Sequence, residues 1–118
     1  MGRDKFGLGL ADLGHAVELM GEDRVVIPYQ ITEGRFAGQQ IKVGIQVPAD
    51  FEMTPPGGIH ITPRLIPINL NAQDHSRAAE SQPFGADYEY LSRPFQQWAR
   101  KRTVKRYMEY VADLLNTL

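Results

Sequence analysis

The sequence predicts an α+β fold, an antiparallel β-meander of about four strands packed against a C-terminal amphipathic helix. Three observations predict it. Ile41, Val43, Ile45 and Val47 alternate with Gln40, Lys42, Gly44 and Gln46, the period-2 pattern of a strand with one buried and one wet face. Residues 24–31, Arg-Val-Val-Ile-Pro-Tyr-Gln-Ile, are rich in β-branched and aromatic side chains, which fit a pleated surface. Val104, Tyr107, Met108, Val111, Leu114, Leu115 and Leu118 fall on one stripe at helical spacing. Strands first and the main helix last favour segregated layers over alternating βαβ units. The 118 residues suit a single domain over 1–118.

Taken in order, the first ten residues carry Gly2, Gly7 and Gly9, and so many glycines predict a flexible segment over 1–10. The next stretch has two readings. Leu10, Leu13, Val17 and Met20 have helical spacing, whereas His15-Ala16-Val17-Glu18-Leu19 reads as a strand. Gly21-Glu22-Asp23 is a turn signal. Pro28 places the strand over 24–31 at an edge or bulge. Residues 33–38 supply turn chemistry before the clear strand over 40–47. The connection over 48–58 holds Pro48, Pro55 and Pro56 followed by Gly57 and Gly58, so it is shaped and irregular. Ile59-His60-Ile61-Thr62 is a short strand. Residues 63–92 show no strong periodicity, and a connection of that length predicts the mobile or functional part of the chain. Thr103 is placed to cap the final helix.

Composition removes several function classes. A formal net charge of −1 exerts no general pull toward nucleic acid or anionic lipid. No apolar run approaches the roughly 20 residues needed to span a bilayer, and the first residues lack the apolar core of a signal peptide. Phe6 stands where a myristoylation signal requires Ser or Thr. A cytoplasmic protein is expected. With no cysteine, disulfides, thiolate nucleophiles and cysteine metal sites are excluded. Three scattered histidines give no metal-ligand spacing, and no phosphate loop or dinucleotide glycine pattern is present. No cofactor is expected.

Gly38, the strand over 41–47, Pro48, Asp50-Phe51, Pro55-Pro56 and the strand over 59–62 follow one another in a manner that resembles the ubiquitin-conjugating-enzyme superfamily, in a divergent prokaryotic version. Tyr90-Leu91-Ser92-Arg93-Pro94 falls where that family has a Trp-Ser-Pro-like turn, and Thr103-Val104 opens a helix ending in Leu114-Leu115 in the family's style. The resemblance covers roughly residues 24–118. It implies a ubiquitin-like protein and an activating enzyme as partners, with a JAB-type peptidase in the same pathway.

The departures from the family bear on function. Where the family has His-Pro-Asn, this chain has Ile66-Pro67-Ile68, with Asn69 and Asn71 nearby. Counting on from the double proline, Ser76 falls at the position of the family's nucleophilic cysteine. A serine hydroxyl needs an activating base to compete as a nucleophile at neutral pH. The expectation is therefore a binding or scaffolding pseudoenzyme. The alternatives are an active conjugating enzyme in which Ser76 stands in place of the nucleophile, and a small protein- or nucleic-acid-binding module.

The candidate catalytic residues are Ser76, His60 and His75. Asp74-His75-Ser76 does not form a triad as it stands, because consecutive residues on an extended segment point in different directions. His60 alternates with Ile59 and Ile61, so it faces away from them. It reads either as a half-exposed strand histidine or as a general base, since an ordinary imidazole titrates in the useful range. For partner binding the candidates are Arg100, Lys101, Arg102 and Lys105, continued by Arg106, with Trp98 just before them. The cluster reads either as a solvated helix start or, since cations at a helix N-terminus oppose its dipole, as a contact surface. Without an overall basic charge, an acidic protein partner is favoured and nucleic acid is not. Tyr88, Tyr90, Phe95 and Trp98 are close enough in sequence to close a small core or to form an aromatic interface.

Overall fold

The computed structural model describes residues 2–63, 65, 78–80, 84, 88–91 and 103–117. Among them are helix α1 (Gly2–Asp12), strands β1 (Glu18–Met20), β2 (Arg24–Gln30), β3 (Gln40–Gln46), β4 (Ile59–Thr62), β5 (Ala78–Glu80) and β6 (Glu89–Leu91), and helix α2 (Val104–Asn116). The strands form one antiparallel sheet in the order β1-β2-β3-β4-β6-β5. The α+β class is as the sequence predicts, and β1 to β4 follow one another as the expected meander, whereas β6 comes between β4 and β5. The sheet is larger than the expected four strands, because β5 and β6 lie within the stretch over 63–92 that carries no periodic signal.

Register sorts the side chains onto two faces. Val25 pairs with Ile45, Ile27 with Val43, Val43 with Ile61, and Ile59 with Leu91. These residues share the inner face, and all are buried. The stripe of α2 covers that face: Tyr107, Met108, Val111, Leu114 and Leu115 join the strands in one hydrophobic cluster. Thr103 caps the helix as predicted, its hydroxyl accepting the Arg106 N–H at 3.1 Å, which satisfies one of the donors a helix start leaves open.

Residues 2–12 correct the expectation of a flexible start. They form α1, and Phe6 and Leu10 are fully buried in the same cluster. The Phe6 ring meets Phe51 edge-on at 5.1 Å and Tyr107 edge-on at 5.5 Å, the geometry that aromatic quadrupoles favour. The glycines act here through size. A Cβ on Gly9 would lie 2.4 Å from Cγ2 of Val104, so the bare backbone lets α1 approach α2 closely. Arg3 also donates to the carbonyl oxygen of Gly21, tying the helix to the β1–β2 turn. Of the two readings for residues 10–20, the structure takes helix to Asp12 and strand from Glu18.

β6 is hidden in the sequence for a physical reason. Glu89 occupies an inner-face position opposite Ile61 and is fully buried, so a charged residue stands where alternation calls for an apolar one. Its Oε1 accepts the Leu65 N–H at 3.1 Å, which holds the chain that leaves β4 against β6.

Candidate functional site

The outer face of the sheet gathers the chemistry among the described residues. Val26, Gly44, His60 and Tyr90 lie in one row across β2, β3, β4 and β6. Phe84, from the connection between β5 and β6, lies over this row. Its ring centroid is 4.7 Å from that of His60 and 5.2 Å from that of Tyr88, and the Arg24 guanidinium stands 5.8 Å from it. The Tyr90 ring centroid lies 4.9 Å from that of His60.

Gly44 makes this cover possible. A Cβ there would come within 2.7 Å of the Phe84 ring, so only a glycine lets the ring approach β3 this closely. Sequence reasoning grouped Tyr88 and Tyr90 with later aromatics and missed Phe84. The available signal was Gly44 itself, since a glycine inside a strand marks a close approach.

His60 faces away from Ile59 and Ile61, as its alternation requires. It is not half-exposed, however, but 4% exposed. Burial among rings disfavours the imidazolium and lowers the pKa from 6.5 to about 4. An imidazole that weakly basic is a poor general base near neutrality, and the catalytic role weighed for it is not favoured by this environment.

The same shift makes stability depend on pH. Between pH 6.5 and about 4 the unfolded chain binds a proton at this position that the folded chain refuses, so stability falls as the pH drops through that interval. The full loss is about 3 kcal/mol. His60→Phe should remove this component, so the difference between the two unfolding curves is the informative quantity. Parallel pH dependences in wild type and variant would refute the burial argument.

A second feature ties both faces together. The Tyr107 hydroxyl donates to the Gly57 carbonyl at 2.7 Å from the inner side. The Gly58 N–H donates to the Tyr90 hydroxyl at 3.2 Å, and Tyr90 belongs to the outer-face row. The Pro-Pro-Gly-Gly turn is thus gripped between two tyrosines. Burial, with Tyr110 and Tyr90 adding, pushes the Tyr107 phenol well above its ordinary range, which keeps it protonated and donating.

Of the other predicted site residues, Lys105 is exposed in the first turn of α2. Ser76, His75, Trp98, Arg100, Lys101 and Arg102 lie outside the described residues, as does Phe95. Among the described residues no group of three or more His, Asp or Glu could hold a metal ion, and no helix is long and apolar enough to cross a membrane. Compared with known proteins, the chain matches no family model, no curated protein and no solved structure.

Proposed function

We propose that this chain is a cytoplasmic binding protein of a prokaryotic ubiquitin-like modification pathway, built on a ubiquitin-conjugating-enzyme scaffold and working without a thioester. Its partners are then a ubiquitin-like protein and that protein's activating enzyme. The observation that carries the reading is the β1–β4 meander in sequence order with the Pro-Pro-Gly-Gly turn gripped between Tyr107 and Tyr90. Pro55-Pro56 of that turn is one of the several elements, from Gly38 to the strand over 59–62, on which the sequence resemblance rests. The binding role follows from composition. A relay that passes an acyl group from protein to protein needs a labile thioester, and a chain with no cysteine has no thiol to form one. An oxyester on Ser76 would be a more stable species, ill suited to onward transfer.

The test mixes the full chain with a ubiquitin-like protein, its activating enzyme and ATP from one prokaryotic source. Saturable binding with no covalent adduct is the expected result, and failure to bind either protein defeats the proposal. Ser76→Cys examines the active-site register separately. If Ser76 occupies the nucleophile position, the variant acquires an adduct that thiol reductant destroys. Binding without such an adduct would mean that Ser76 is not at that position.

A further inference from the structure

The two helices are held in different ways. α2 starts on the Thr103 cap and buries Tyr107, Met108, Val111, Leu114 and Leu115. α1 buries two large side chains, Phe6 and Leu10, beside Gly2 and Gly7. Gly7 and Gly9 lie in its interior, where glycine costs a helix more than any residue except proline. Its last turn carries Asp12 and no cation, against the helix dipole. The Lys5–Glu52 ion pair lies at the surface, where such pairs contribute little.

The two interior glycines of α1 have different surroundings. Gly9 is required by the approach of Val104. A Cβ on Gly7 would meet Cδ2 of Leu19 at 3.4 Å and Cγ1 of Val17 at 3.6 Å, which are ordinary van der Waals contacts. Packing among the described residues therefore leaves room for a methyl group at Gly7, and what the glycine does there is weaken the helix. Just past α1, Gly14 has a φ of 94° and no described atom within 4 Å of where its Cβ would stand. The chain is free to pivot there.

We propose that α1 is a strap that undocks as one unit while the sheet and α2 stay folded, pivoting at Gly14 and uncovering the Phe51 and Tyr107 rings that Phe6 touches. Helix formation and docking are coupled in such a segment. A helix this short is marginal in water, so once Phe6 and Leu10 leave the core nothing local keeps it wound. The sheet retains its own ladders and the stripe of α2. Units with few buried anchors open below the free energy of global unfolding. The proposal does not depend on the pathway proposed above.

The experiment follows amide hydrogen exchange of the full chain by NMR, in water and in low urea. The amides over 8–13 should exchange at least about 100-fold faster than those of Val43 and Gly44, which sit on β3 between two paired strands. They should share one opening that grows with urea, because undocking exposes apolar surface. Gly7→Ala should slow exchange over 8–13 about fivefold, whereas Gly9→Ala should speed it through the collision with Val104. Ile61→Val, in the sheet, should speed Val43 and Gly44 about fivefold and leave 8–13 unchanged, since that contact persists when the strap is open. Equal protection of α1 and β3 overturns the proposal, as does acceleration of both by Ile61→Val, which would mean that α1 opens only with the whole domain. A gradient along 8–13 without urea dependence is fraying and overturns the single unit. Slowing by both alanines overturns docking as what holds the strap.

Discussion

Val111→Asp is expected to destabilise the protein by about 4 kcal/mol or more, a large share of the roughly 5–15 kcal/mol that holds a domain of this size together. Val111 is fully buried in the middle of α2 and belongs to the same hydrophobic cluster as the inner-face strand residues. An aspartate there must either carry a charge in an apolar setting or take up a proton to avoid it, and both are costly. The loss of the valine's packing adds to this. Urea denaturation should show a midpoint far below wild type with an unchanged slope. A variant that melts within a degree or two of wild type would mean that the stripe faces solvent and that the layer arrangement is wrong.

Phe6→Ala carries the second large effect, about 3–5 kcal/mol from removal of a buried aromatic ring. The ring is fully buried and touches Phe51 from the 48–58 connection and Tyr107 from α2, so its loss opens a cavity where three elements meet. The experiment separates a structural α1 from a dispensable leader. Were residues 2–12 a tail, the substitution would be silent in thermal unfolding. Leu8, on the same helix but 69% exposed, is the control: Leu8→Ala should change stability by no more than about 0.5 kcal/mol.

Both substitutions act on the layer that the sequence described unevenly. The α2 stripe was legible because seven apolar residues at one spacing leave no other face to bury. α1 was not, because its glycines lower helix propensity by about 1 kcal/mol each, and only Phe6 and Leu10 mark the buried side. That helix owes its place to packing: the absence of a Cβ at Gly9 admits Val104, and this is a fact about another element far along the chain. The candidate site divides in the same way. Alternation along 59–62 gave the direction of His60, yet its burial comes from Phe84, which sits 24 residues later and reaches the outer face through a connection that local pattern does not predict.

Local pattern alone therefore determined the α+β class, the strands β2, β3 and β4, and the helix α2 with its Thr103 cap, because each is set by side-chain period or by a hydrogen bond within a few residues. Composition determined that no thiol chemistry is open to the chain, since that requires only the absence of cysteine. Tertiary structure decided the rest. Long-range pairing made β6 a strand despite the buried Glu89, because the Leu65 N–H and the β4 ladder compensate what its alternation lacks. Close approach made use of Gly9 and Gly44, whose missing side chains have meaning only against Val104 and Phe84. Burial by distant rings turned His60 from an ordinary imidazole into one that stays neutral down to about pH 4, since desolvation depends on what surrounds a group in space and not on its neighbours in sequence.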